Sequence, residues 1–405
     1  MPQFHYQCVE CAREFERDAV RYLCPECGKQ FEPGQPLRGV LRAEFDYVAI
    51  RSELNPAHPD WSTIIAVEPQ YHPPWPVGDT PFFPVAALGE RLRCPNLYVK
   101  NDGLNPSGSL KDRASALMVA EANRLGEYRI VTASTGNAGV ALAAACAAAG
   151  REAVIFAPAA APKAKLVQML VHGARVIRVK GTYDDAYRLS LEYSQRYSGL
   201  NRNTGYHPLT IEGKKSVALE IFQQFGSRAP NVIFVPTGDG VVLAGVYKGF
   251  YDLQRLGWID TLPRLIAVQS EQADSIHHLM QTGELRNASS PATVADSISV
   301  AAPSNAIMAR SVLEETRGAT VTVSDKEILD AQSLLARTTG VFAEPAAAAA
   351  LAGLRKIEIA RVKPEDSVVL LITGHGLKDI EATQPGLDFP EPVDAAWDAV
   401  KPILS

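Results

Sequence analysis

Beyond residue 90 the chain alternates short, continuous apolar runs with helix-like stretches, and this alternation restricts the fold more than any other feature. The runs are Leu97-Tyr98-Val99-Lys100, Arg129-Ile130-Val131-Thr132, Ala153-Val154-Ile155-Phe156, Val176-Ile177-Arg178-Val179, Val232-Ile233-Phe234-Val235, Leu265-Ile266-Ala267-Val268 and Val368-Val369-Leu370-Leu371-Ile372. Strands that are apolar on both faces need cover on both sides, which helices over 138–149, 163–172, 183–196 and 214–225 would supply. The expectation is an α/β protein built from open, mainly parallel, doubly wound sheets. With 405 residues the chain exceeds one small core, so two such domains are expected. No internal repeat is visible. The alanine-rich segments 141–149 and 346–352 read as close-packed helices.

The N-terminus is different. Four of the six cysteines fall in the first 27 residues, as Cys8-x-x-Cys11 and Cys24-x-x-Cys27. Two such pairs are the pattern of a zinc ribbon, each pair a knuckle and the four thiolates a tetrahedral set. Four sulfur ligands leave no open position, so the metal would be structural Zn2+. Cys146 reads as a small buried residue in a helix.

Composition closes several other routes. A net charge of -5, with mixed charges around the ribbon, gives no reason to expect nucleic acid or an anionic membrane as a partner. No apolar run approaches the roughly 20 residues of a membrane helix. The N-terminal residues lack the basic start and apolar stretch of a signal peptide, so a cytoplasmic protein with thiols available for metal is expected.

In open α/β sheets ligands bind beyond the carboxyl ends of strands, and four unusual loops fall there. The first is Asn105-Pro106-Ser107-Gly108-Ser109-Leu110-Lys111-Asp112-Arg113. A lysine in a Ser/Gly-rich loop that opens a helix can be desolvated and form a Schiff base with an aldehyde cofactor; a solvated surface lysine is the plainer possibility. The second loop, Ala133-Ser134-Thr135-Gly136-Asn137-Ala138-Gly139, presents N–H groups and hydroxyls to an anion at a helix N-terminus, or simply caps that helix. The third, Pro236-Thr237-Gly238-Asp239-Gly240-Val241-Val242, has glycines that let the backbone wrap an anion. Its spacing does not fit the dinucleotide fingerprint. The fourth is Leu371-Ile372-Thr373-Gly374-His375-Gly376-Leu377-Lys378-Asp379, where His375 is either a base or a structural hydrogen-bonding residue.

Together these loops resemble the motifs of threonine synthases, within the tryptophan-synthase-β group of fold-type-II pyridoxal-phosphate enzymes. The first matches Asn-Pro-Thr-Gly-Ser-Phe-Lys-Asp-Arg, with Ser107 and Leu110 as departures, and the fourth matches Thr-Gly-His-Gly-Leu-Lys-Asp. Phe342-Ala343-Glu344-Pro345 and the alanines after it are also similar to a family segment, read here as a packing helix. The resemblance implies an N-terminal zinc-ribbon-like segment (1–36), a large cofactor-binding domain (37–90 and 205–405) and a smaller domain (91–204) carrying Lys111. It implies pyridoxal 5'-phosphate on Lys111, which also moves protons. Asn137 would meet the cofactor's 3'-oxygen, Thr237, Gly238, Asp239, Gly240 and Val241 its phosphate, and Thr373 its ring nitrogen. Ser134, Thr135, Gly136 and Asn137 would hold the carboxylate of a small amino-acid substrate. A homodimer is implied as well. The activity implied is lysis of O-phospho-L-homoserine with water to L-threonine and phosphate.

Two residues depart from that pattern. Asp239 replaces the usual asparagine in the phosphate loop, and is expected to point away from the phosphate or to bond neighbouring N–H groups. Thr210 stands where a phosphate-clamping arginine belongs; Lys214, Lys215, His207 or Lys378 would have to compensate, and all four also read as ordinary charges. Ala295-Asp296-Ser297-Ile298 resembles a serine/threonine dehydratase segment. Dehydration, or replacement on O-phosphoserine as in cysteate synthase, is therefore the alternative chemistry. A non-catalytic ligand-binding homologue is a third reading.

Overall fold

The computed structural model describes residues 4–32, 34–289, 291–356, 362–384 and 387–403. Pro33 of the expected linker lies outside them. Thirteen strands are seen among the described residues: β1 (Phe4–Cys8), β2 (Glu14–Glu16), β3 (Leu41–Phe45), β4 (Phe82–Pro84), β5 (Leu97–Asn101), β6 (Arg129–Ala133), β7 (Glu152–Pro158), β8 (Arg175–Val179), β9 (Leu200–Asn201), β10 (Val232–Pro236), β11 (Arg264–Ser270), β12 (Ala319–Val323) and β13 (Val368–Ile372). They form a three-stranded sheet β2-β1-β3, a six-stranded sheet β12-β11-β10-β13-β5-β4 and a four-stranded sheet β8-β7-β6-β9. The four-stranded sheet is parallel throughout, and in the six-stranded sheet only β4 runs antiparallel.

All seven expected strands are present, and the central ones carry the burial that their composition demands: every residue of β10 and of β13 is buried. Three of the expected helices fall almost where the pattern put them, at Asn137–Ala149, Lys163–Val171 and Tyr183–Tyr197. The fourth begins five residues early, at Leu209 behind Pro208.

Two expected boundaries shift. The expected smaller domain (91–204) includes residues 97–101, but β5 pairs parallel with β13 inside the six-stranded sheet, its apolar run buried between β13 and β4. The ribbon does not stop at residue 36 either, because β3 completes its sheet by pairing along all of β1. Among the described residues no helix is long and apolar enough to cross a membrane.

Helices Leu209–Gln224 and Val241–Arg255 pack closely, and a glycine is needed where they touch: a Cβ on Gly245 would meet the Lys214 Cβ at 2.5 Å. Between them and the ribbon sheet lies a buried ionic cluster. Lys215 pairs with Glu212 (2.6 Å) and Asp252 (2.8 Å), Lys248 pairs with both carboxylates, and the Lys215 ammonium sits 4.1 Å from the centre of the Phe45 ring on β3.

Candidate active site

Lys111 opens helix Lys111–Leu125, and its loop is stitched to the carboxyl end of β13. Leu110 N–H donates to the Thr373 carbonyl (2.9 Å), His375 N–H to the Gly108 carbonyl (3.0 Å) and Lys378 Nζ to the Ser107 carbonyl (2.7 Å). Gly108 has φ +84°, and a Cβ there would press on the Lys378 stem at 3.2 Å, so glycine is required on both counts. Asp112 turns back to accept from Ser107 N–H (2.7 Å) and the Ser107 hydroxyl. Burial pushes its carboxyl up to about 6 in spite of those bonds. Arg113 points inward and forks onto Asp102 (2.6 and 2.9 Å) and Glu220 (2.6 and 2.8 Å), while Lys100 reaches Glu220 at 2.6 Å. This fully paired cluster fixes the first turn of the helix that carries Lys111.

Lys111 faces a cavity of about 420 Å³ that Ser134, Thr135, Gly136, Asn137, Gly238, Asp239 and Thr373 also line. Four sequence-distant loops therefore meet at one amine. Burial lowers the Lys111 ammonium below its ordinary range, against the opposing pull of Asp239 and Glu344. Thr373 has a side chain with no hydrogen bond among the described residues, so its hydroxyl is free for a ligand. Asn137 donates through Nδ2 to Ser297 Oγ (3.0 Å) and the Glu344 carboxylate (2.8 and 3.0 Å), which leaves Oδ1 buried and unpartnered. The Ser134 hydroxyl is spent within its loop, accepting from Gly136 N–H (3.1 Å) and Gly139 N–H (2.9 Å). Thr135 keeps a free hydroxyl, and Asn137 and Ala138 keep free backbone N–H groups, at the N-terminus of helix Asn137–Ala149. That is an anion-holding arrangement.

In the third loop Pro236, Gly238, Asp239 and Val242 line the cavity, whereas Thr237, Gly240 and Val241 do not. Thr237 donates its hydroxyl to the Val235 carbonyl (2.8 Å) and Gly240 adopts φ +88° as the helix cap, so these two shape the turn. Asp239 bonds a neighbouring N–H, accepting from Val241 at 2.9 Å. The N–H groups of Gly238, Asp239 and Gly240 make no hydrogen bond among the described residues and remain available to a phosphate. A phosphorylated pyridine aldehyde suits these groups: an amine, a free hydroxyl, an orphaned amide oxygen and a run of unspent N–H donors.

The structure brings in residues that the sequence did not mark. Glu344 precedes the expected packing helix Pro345–Lys356, yet its carboxylate is buried at the cavity wall against Asn137. Lys165 pairs with Asp296 at 2.5 Å beside Gly136, which puts the dehydratase-like segment in the cavity wall. Tyr183, Thr204 and Ser304 line the cavity, as do Phe31, Gln35 and Leu37 from the segment behind the ribbon. Leu37 N–H donates to the Ser304 carbonyl (2.7 Å), tying that segment down.

The residues weighed as substitutes for the missing clamp arginine separate clearly. Thr210 lies in the first turn of helix Leu209–Gln224, its hydroxyl accepting from Gly205 N–H (2.9 Å) and donating to the His207 carbonyl (2.8 Å). Burial pushes His207 down to about 3, so it is neutral, and its Nδ1 accepts from Leu209 N–H. Lys215 belongs to the ionic cluster described above, and Lys378 to the loop stitching. His375 is structural, its Nδ1 accepting from Leu377 N–H at 3.1 Å.

At the N-terminus the sulfurs of Cys8, Cys11, Cys24 and Cys27 lie within 4.8 Å of one another. The Cys11–Cys24 separation of 3.8 Å equals the edge of a tetrahedron with metal–sulfur bonds of about 2.3 Å. Gly39, at φ +72°, makes this possible: a Cβ there would lie 2.9 Å from the Cβ of Cys24.

Residues 76–374 match the model of the "Pyridoxal-phosphate dependent enzyme" family. The chain belongs to this family. It is 34% identical to the threonine synthase of Methanosarcina acetivorans over 98% of both chains, and 34% identical to that of Methanocaldococcus jannaschii over 81% of this chain and 82% of the other. Among solved structures, maize serine racemase superposes with a TM-score of 0.64 over 74% of this chain and 89% of its own, at 23% identity. An L-serine ammonia-lyase from Rhizomucor miehei gives 0.65 over 76% and 97%, also at 23%. These two establish the fold. As a pyridoxal-phosphate dependent enzyme, the protein is a threonine synthase-like lyase.

Proposed function

We propose that the protein converts O-phospho-L-homoserine and water to L-threonine and phosphate, with Lys111 as the residue that holds pyridoxal 5'-phosphate and moves protons. The observation that carries this reading is the convergence on Lys111 of Asn137, Thr373 and the Gly238–Asp239 loop in one cavity. When bound, the cofactor supplies an aldehyde for the substrate amine and an electron sink for the carbanion. The chain's own groups do the rest. The desolvated Lys111 amine has a neutral fraction that can take a proton and return it. Thr373 offers the ring nitrogen a neutral hydroxyl, which leaves the ring unprotonated and suits elimination and replacement on the side chain. The free N–H groups at Asn137 and Ala138, with the Thr135 hydroxyl, hold the substrate carboxylate. Cys8, Cys11, Cys24 and Cys27 hold a structural Zn2+ that fixes the ribbon.

Incubating purified holoenzyme with phosphohomoserine, phosphoserine, serine and threonine, and measuring phosphate and threonine against 2-oxoacid, tests the reaction. Threonine and phosphate from phosphohomoserine are expected. Release of 2-oxoacid from serine or threonine, with phosphohomoserine untouched, overturns it. That second outcome is the dehydratase reading, favoured by the place of Asp296 and Ser297 in the cavity wall.

A further inference from the structure

Two buried basic side chains, Arg202 and Lys214, lie behind a cavity wall that also carries the Asp184 and Asp239 carboxylates. Arg202 is fully buried, and among the described residues it makes no ion pair and its Nη2 has no hydrogen-bond partner. Lys214 is equally buried and reaches only the Thr210 carbonyl, at 2.9 Å. Burial lowers the Arg202 guanidinium to about 10 and drops the Lys214 ammonium well below its ordinary value; Asp239 offsets this at both groups. Charged groups left without partners in a protein interior are costly, and such clusters mark places where a ligand completes the charge balance.

The donors in front of these cations complete the picture. Arg202 Nη1 donates to Thr204 Oγ1 at 2.7 Å, so the Thr204 hydroxyl accepts from a cation while its own proton has no acceptor. Thr204 lines the cavity. Tyr183 lines it too, and its phenol, electrostatically coupled to Arg202 and Asp239, makes no hydrogen bond among the described residues. Two free hydroxyl donors, with two buried basic side chains behind them, can donate to a dianion on a wall they share with the carboxylates of Asp184 and Asp239.

We infer that Thr204 and Tyr183, with Arg202 and Lys214 behind them, are this enzyme's subsite for the phosphate ester of its substrate, and that they do the work of the arginine absent at position 210. The inference rests on the proposed use of a phosphorylated amino acid and adds to it the residues that recognise the phosphate. Thr204 and Tyr183 touch the anion. Arg202 is a positioning residue that polarises Thr204.

The probe is inorganic phosphate, titrated calorimetrically into the holoenzyme, with cofactor affinity followed separately by visible absorbance. Tyr183→Phe and Thr204→Val each remove one hydroxyl and are expected to weaken phosphate binding by about tenfold, since each deletes a hydrogen bond to a charged group. Arg202→Lys keeps the charge but loses the fork, and is expected to fall between wild type and Thr204→Val. Cofactor affinity should stay within about twofold in all three variants. Phosphate that binds all variants as tightly as wild type, or fails to bind wild type, overturns the inference. Loss of cofactor affinity in parallel overturns it in another way, by assigning the pocket to the cofactor's own phosphate. Because the probe is phosphate itself, failure to turn over phosphohomoserine would sink the proposed reaction without deciding this subsite.

Discussion

Lys214 and Lys215 adjoin on one helix, yet the roughly 100° between successive residues turns them toward two differently built regions. Lys215 enters a cluster in which two lysines meet two carboxylates, all four nearly or fully buried. Lys214 enters the neighbourhood of Lys111 and Arg202, where none of the three cations has an ion-pair partner among the described residues. The first region is charge-balanced by the protein and serves as a clamp between the ribbon and the helices. In the second the basic groups make no such pairs and Asp239 acts on them without direct contact, so a bound anion can still gain there. Saturation of the buried charges, more than burial itself, separates scaffold from site.

The comparison predicts opposite responses to mutation. On the site side, Lys111→Ala is expected to cut turnover by about a thousandfold or more and to abolish the visible absorbance of the bound cofactor, while the far-ultraviolet dichroism stays unchanged. A coloured, active variant would remove Lys111 from its role. On the scaffold side, Asp252→Ala strands the charges of Lys215 and Lys248 and should cost about 3–5 kcal/mol of stability, read by denaturant unfolding. A loss below about 1 kcal/mol would mean the cluster is not the clamp described.

Acid should act through the paired cluster around Arg113. Burial alone would raise the Glu220 carboxyl, but Arg113 and Lys100 outweigh it and hold it at about 2. Its folded value is thus depressed, so its contribution is complete above the unfolded value near 4.5 and is lost as pH falls from there toward 2. Unfolding free energies measured across this range should drop by an amount on the order of 3 kcal/mol, and Glu220→Gln should flatten the dependence. A variant as acid-sensitive as wild type would contradict this.

Thr373→Val removes a hydroxyl that makes no hydrogen bond among the described residues. Activity is expected to fall about tenfold, with stability held within about 0.5 kcal/mol. The smallest effect belongs to Asp239→Asn, since the side chain is already committed to Val241 N–H. Cofactor affinity should change by less than about twofold by absorbance titration, and a large gain would show that the carboxylate faces the phosphate after all.

Much of this was legible in the residues. The continuous apolar runs located seven of the strands, most clearly the central ones, because a strand buried on both faces has no polar alternation to blur it; the edge strand β8 is mostly exposed or half-buried. Lys111, Asn137, Gly238, Asp239 and Thr373 were legible because each sits in a loop whose small residues have no use in a core. The two-residue strand β9 and the half-buried β12 carried no comparable pattern. Glu344 was hidden by the alanines that follow it, which read as packing alone.

By itself, then, the sequence determined the sheets, the cysteine cluster and the loops around Lys111, since these follow from local periodicity and spacing. Only the tertiary structure decided which buried charges are paired. Arg202 and Arg113 look alike along the chain, yet one ends on Asp102 and Glu220 and the other with a bare Nη2. Pairing depends on side chains from different elements, such as Arg113 and Glu220, meeting within about 3 Å, the range of a charged hydrogen bond, and no local pattern encodes that distance.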